Sequence, residues 1–158
     1  TSRLYKTLVA DLKKASSAGG YYTGSGLDSS KIALNAVAAD GVSLEELETL
    51  MNKVIADFIE KGATEEELAR AKKVYYAEHI QEADSQSSMA RRYGWALVTG
   101  QTIADVEEWP DRIGKVTLAD IKQAAKVHLS LKQSVTGRLI PGPRDAARNE
   151  ATPVKPKS

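Results

Sequence analysis

His79 and His128 are the only imidazoles in this 158-residue chain, and His79 stands three positions before Glu82. On a helix, residues i and i+3 face the same way, so this imidazole and this carboxylate share a surface, as two ligands of a catalytic metal would. A zinc centre of the His-x-x-Glu-His kind needs a second imidazole directly after the glutamate, and that position is Ala83. The site is not made. His128 lies at the end of a later helical stretch with Lys126 and Lys132 close by, a poor setting for a further cation. Both histidines read as structural or surface residues.

The other reactive residue types resolve in the same direction. Ser25, between Gly24 and Gly26, lacks the spacing of a nucleophile elbow and belongs to turn chemistry. Arg91, Arg92 and Tyr93 place a basic pair beside an aromatic, the pattern of a solvated helix edge with one buried ring. The glutamates at 45, 46, 48, 65, 66 and 67 cluster at helix starts, where caps and the helix dipole account for them. No phosphate-cradling glycine loop or dinucleotide fingerprint is present. From the residues alone, no catalytic and no metal-ligating residue is assigned.

Composition narrows the classes further. Lys and Arg number 22 against 21 Asp and Glu, a balance that gives no case for nucleic acid or an anionic membrane surface as partner. The absence of Cys excludes disulfides and thiol catalysis. No apolar run approaches the ~20 residues of a membrane span. The length is that of one ordinary domain. The chain opens on an amphipathic helix without a lead-in, which gives the expectation of a piece excised from a longer protein.

The elements that would position any site are organised around residues 43–84. Leu44, Leu47, Leu50, Met51, Val54, Ile55, Phe58 and Ile59 recur every three or four residues and form one apolar stripe that must be buried. Ser43 with Glu46, and Thr64 with Glu67, read as capping boxes. Gly62 between them supplies a C-terminal cap, so a helical hairpin is expected. Ahead of it come a helix over 2–14, with Leu4, Tyr5, Leu8 and Leu12 on one face, and a β-hairpin of strands 18–23 and 31–39. In its second strand Ile32, Leu34, Ala36 and Ala38 take the face against the helices, leaving Ala33, Asn35, Val37 and Ala39 to line a cavity.

After the hairpin of helices, residues 85–99 form a helix with Met89, Tyr93, Ala96 and Leu97 on one side, ended by Gly100. Thr102 with Asp105 and Thr117 with Asp120 open two more, the first kinked or interrupted at Trp109-Pro110. Residues 133–140 alternate as a last strand, and residues 141–158 lack a core pattern and are expected to be a mobile tail. The fold class is α+β: a small antiparallel or mixed sheet with several helices packed on one face.

Three groups of residues, taken in order, resemble the inverted-zincin metallopeptidases of the pitrilysin and insulinase type, in their second, non-catalytic domain. They are Ser2-Arg3-Leu4-Tyr5-Lys6-Thr7-Leu8, then Thr64-Glu65-Glu66-Glu67-Leu68-Ala69-Arg70-Ala71-Lys72. The third group runs from Gly100-Gln101-Thr102 through Trp109-Pro110, Ile113, Val116-Thr117 and Asp120-Ile121 to Ser134-Val135-Thr136-Gly137. The resemblance covers residues 2–141. It implies the LuxS and processing-peptidase type of metallohydrolase fold, a peptidase-family C-terminal domain over 1–140 truncated at its N-terminus, and an N-terminal strand missing from this fragment.

It implies, too, that the fragment itself is inactive and holds no cofactor. Zinc is then expected in a missing N-terminal domain, within a parent zinc metalloendopeptidase. Many family members supply a substrate-holding Arg, and a Tyr seven positions later, just after the first helix. In this chain those places fall to Val9 and Ser16, so the pair is lost. This is similar to the zinc-bearing subunit of bacterial two-subunit members, whose partner subunit brings the pair. The implied partners are the N-terminal domain of the same chain, a homologous subunit and a peptide substrate, with a periplasmic or otherwise exported location. The alternative within the same fold is a non-catalytic scaffold or peptide-binding subunit.

Overall fold

The computed structural model describes residues 2–24, 26–27 and 30–140. The Ser25 turn and the tail over 141–158 lie outside the described residues.

The chain opens with α1 (Arg3–Tyr5), capped by the Ser2 side chain, which accepts from the Tyr5 amide. It passes directly into a π-helical segment (Lys6–Asp11). The helix ends earlier than its apolar spacing implies. The Leu12 amide donates to the Thr7 carbonyl at 2.9 Å, the wide turn of a π-helix, and Lys13 takes a left-handed φ of 54° that turns the chain into the first strand.

Strands β1 (Ala15–Thr23) and β2 (Lys31–Ala38) pair antiparallel, from Ala15 opposite Ala38 to Thr23 opposite Lys31, with a bulge between Ala15 and Ser17. Strand β1 starts three residues earlier than composition indicated, with Ala15 and Ser17 paired and Ser16 at the bulge. Leu8, Ala15, Leu47 and Val54 form the buried core, with Leu4, Val9, Ala18, Ala36, Ala38, Val42, Leu50 and Met51 packed around it. Tyr22 stands opposite Ile32 and so shares its face of the hairpin. The cavity described below therefore lies toward the helices. Val37 and Asn35, on the face expected to line a cavity, are exposed.

Helix α2 (Leu44–Lys61) follows the apolar stripe, yet only Leu47 and Val54 of that stripe are fully buried; Ile55 and Phe58 keep part of their surface. The N-terminal device at Ser43 is half a capping box. The Ser43 hydroxyl accepts from the Glu46 amide at 3.1 Å, but the Glu46 carboxylate turns to Lys14 Nζ at 2.7 Å. An exposed cation within reach outcompetes one backbone N–H that water can satisfy. Gly62 caps α2 with φ 78° and donates to the Phe58 carbonyl at 2.8 Å.

Helix α3 (Glu65–Ala83) begins with a complete capping box at Thr64 and Glu67. Helices α4 (Gln86–Val98), α5 (Ile103–Lys115) and α6 (Leu118–His128) follow, the last two each opened by a complete Thr/Asp box. In α4 Ala96 is buried, whereas Leu97 is exposed. Helix α5 runs through Pro110 without interruption. Helix α6 packs on α2, while α3, α4 and α5 pack against one another. Among the described residues no helix is long and apolar enough to cross a membrane.

The expected last strand is absent. After a 3-10 turn (Leu131–Gln133), residues 134–140 run unpaired, and Val135 and Leu139 are 99% and 92% exposed. Alternation sets the two faces of a strand but does not bring it to a sheet edge; among the described residues the sheet consists of β1 and β2, and residues 134–140 pair with neither. Arg138 instead binds α2, its guanidinium donating to Glu45 at 2.7 Å and to Glu48 at 2.6 and 2.9 Å.

Candidate functional site

Helix α3 presents Tyr75, Glu78, His79 and Glu82 on one stripe, because positions i, i+3, i+4 and i+7 align on a helix. The same spacing puts Arg92, Trp95 and Ala96 on one side of α4, and Asp105, Val106, Trp109 and Arg112 on one side of α5. These three stripes and Tyr22 at the end of β1 enclose a cavity of about 670 Å³, within the size range of ligand sites.

The walls are tied together from α3. Tyr76 Oη donates to the Pro110 carbonyl at 2.9 Å. Lys72 Nζ donates to the Gly114 and Val116 carbonyls at 2.8 and 2.7 Å, placing a cation on the negative end of α5. Tyr75 packs edge-on to Tyr76 and stacks on His79, with ring centroids 5.7 and 6.0 Å apart. Burial pushes the Tyr75 phenol above its ordinary value of 10.0, and nearby Arg92 works in the opposite sense.

Arg92 decides what the His79 and Glu82 pair can do. Its Nη1 lies 3.1 Å from His79 Nδ1, and its Nη2 pairs with the Glu82 carboxylate. A guanidinium only donates, so Nδ1 accepts and the ring proton sits on Nε2. Both would-be metal ligands are thus directed at a fixed positive charge. Among the described residues no group of three or more His, Cys, Asp or Glu is arranged to hold a metal. Arg92 itself is no solvated edge: its side chain is 21% exposed and joins α4 to α3.

On α5, Arg112 Nη2 donates to Asp105 and Glu108, both at 3.0 Å. Asp105 also caps its own helix; the Thr102 hydroxyl, then the Thr102 amide, then Arg112 hold its carboxyl below the usual range. The glutamates at helix starts do more than cap. Glu45 and Glu48 hold Arg138, Glu46 holds Lys14, and Glu67 accepts from Arg3 Nε at 3.0 Å while closing the α3 cap. His128 is exposed in the last turn of α6.

Val9 lies in the π-helical segment, half buried against the core, and Ser16 is exposed at the β1 bulge, where its hydroxyl donates to the Val37 carbonyl at 3.4 Å. Neither lines the cavity. Of the sequence candidates, the cavity gathers His79, Glu82 and Arg92. Tyr22, Tyr75, Glu78, Trp95, Trp109 and Arg112 escaped sequence reading; the one trace they leave is the i, i+3, i+7 spacing of aromatic and charged residues on the polar sides of α3 and α5.

Residues 1–75 match the family model described as the peptidase M16 inactive domain. The fold is similar to that of a Bordetella parapertussis domain described as the "Inactive Peptidase Domain of a Putative Zinc Protease", with TM-score 0.80 and 23% identity over 92% of this chain and 78% of that one. A protease from Helicobacter pylori aligns with TM-score 0.74 and 19% identity, over 82% of this chain and 31% of its own. The periplasmic protease PqqL from Escherichia coli aligns with TM-score 0.63 and 20% identity, over 80% of this chain and 14% of its own. The chain thus spans less than a third of the Helicobacter protein. No curated protein matches its sequence. The match over residues 1–75, just under half of the chain, and the fold over most of its length support an inactive, C-terminal domain of the M16, pitrilysin type.

Proposed function

We propose that the chain, over residues 1–140, is the non-catalytic C-terminal domain of a zinc-dependent peptidase, walling part of the substrate chamber and contacting the N-terminal domain and a homologous subunit. The observation that carries this reading is the cavity: about 670 Å³, lined by aromatic and charged side chains from three helices, with no group of three or more His, Cys, Asp or Glu arranged to hold a metal among the described residues. It is suited to holding a peptide, and the hydrolysis is then done elsewhere. Zinc bound in the N-terminal domain would supply an activated water.

The places of the family's Arg and Tyr give the reading its second part. Val9 offers no hydrogen bond and is packed against the core, and the Ser16 hydroxyl is short and engaged with Val37. A backbone-holding pair must then come from the partner subunit, since orders of magnitude in rate can depend on such positioning. The named location of the Escherichia coli relative favours a periplasmic or exported setting. The same two residues favour one other reading, a scaffold or peptide-binding subunit that has lost catalysis.

The test is an assay of the full-length protein, with and without its partner, on a quenched-fluorescent peptide library, followed by substitution of the partner's Arg and Tyr. The lone protein is expected to be nearly inactive and the assembled pair active, with the rate falling when the partner's residues are removed. Full activity from the lone subunit, or an unchanged rate after those substitutions, refutes the division of labour. Absence of a His-x-x-Glu-His motif upstream selects the scaffold.

A further inference from the structure

The charges around the cavity do not balance. Arg92 is matched by Glu82, and Arg112 is shared by two carboxylates, Asp105 and Glu108. Among the described residues Glu78 has no hydrogen-bond or ion-pair partner. Arg91 lines a smaller neighbouring cavity, beyond the Arg92–Glu82 pair, and not this one. Negative charge is therefore in excess, in a space whose other walls are aromatic: Tyr22, Tyr75, Trp95 and Trp109 all line it, and Tyr22 and Trp109 are 66% and 48% exposed.

Aromatic faces carry negative potential and attract cations, more strongly once water is displaced. An apolar or anionic occupant would desolvate Glu78 without compensation. From this charge complementarity we infer that the cavity is a subsite for a basic side chain of a peptide, a guanidinium or ammonium group held against the aromatic rings with Glu78 as its counter-ion. The inference rests on the peptide-handling reading above and names the side-chain class it selects.

The test uses the 158-residue chain and a blocked tripeptide with a central arginine, against the same peptide with citrulline, a neutral near-isostere. Tryptophan fluorescence reads the binding, since Trp95 and Trp109 both line the cavity. The arginine peptide is expected to bind about tenfold tighter. Glu78→Gln should abolish most of that preference without lowering the melting temperature, because Glu78 is exposed and unpaired. Trp109→Leu should weaken the arginine peptide by a further few-fold.

Equal affinity for the two peptides, no binding of either at millimolar concentration, or a preference that survives Glu78→Gln overturns the inference. The two readings fail separately. An assembled peptidase that cleaves without regard to basic residues keeps the chamber and loses this subsite. A lone subunit with full activity loses the division of labour and leaves the binding measurement intact.

Discussion

Leu8 is the one large side chain among the described residues with no exposed surface, and it sits where the π-helical segment meets β1 and α2. Leu8→Ala removes three carbon groups from that contact. At roughly 0.8 kcal/mol per buried carbon the transfer loss alone is about 2.4 kcal/mol. The neighbours that would have to close the gap are Ala15, Leu47 and Val54. Ala15 is too short to follow, and Leu47 and Val54 are fixed on α2, so most of the cavity persists and the total rises to roughly 3–4 kcal/mol.

Only seven apolar residues are buried among those described, which places the domain toward the low end of the usual range of about 5–15 kcal/mol. With a urea slope near ~2 kcal/mol/M, the unfolding midpoint should fall by about 1.5–2 M with the slope unchanged. Ile55→Ala on the α2 stripe is the internal comparison; Ile55 is only partly buried, so its shift should be smaller. A Leu8→Ala midpoint within about 0.5 M of the parent, or one shifted less than that of Ile55→Ala, would refute this account of the core.

Two further outcomes follow from local geometry. Gly62→Ala should cost about 1 kcal/mol in thermal or urea melts, from the φ of 78° alone, because an added Cβ would meet Lys122 only at ordinary contact distances of 3.6 Å and beyond. Glu67 is held below its ordinary value of 4.5, first by Arg3 and then by the Thr64 cap, so its stabilising contribution is complete above that value and is lost as pH falls from it through the lower folded-state value; Arg3→Gln should therefore flatten the acid limb of stability against pH, and an unchanged limb would remove Arg3 as the cause.

Local signals in this sequence were legible because their physics is local. Thr64, Thr102 and Thr117 cap helices through residues three positions away, and Gly62 and Gly100 take positive φ at helix ends, so no tertiary partner is needed to read them. Where a competing long-range partner exists, the local signal fails. Glu46 abandons the Ser43 box for Lys14, which is distant in sequence and adjacent only once the hairpin forms. Residues 134–140 carry a strand's alternation, but alternation says nothing about whether the segment is brought to a sheet edge, and Arg138 is held by α2 instead.

The site was legible only as fragments for the same reason. His79 and Glu82 announce themselves by spacing, and spacing alone makes them resemble metal ligands. Their meaning is set by Arg92, ten residues beyond Glu82 and on the next helix, which fills the space between them with positive charge. Once Arg92 is spent on that pair, and Arg112 on Asp105 and Glu108, the unpaired carboxylate of Glu78 sets the sign of what the cavity attracts. Sequence counting finds 22 basic and 21 acidic residues and reports neutrality. Pairing, which only the fold determines, turns that neutrality into a local excess of negative charge beside Trp109 and Tyr75.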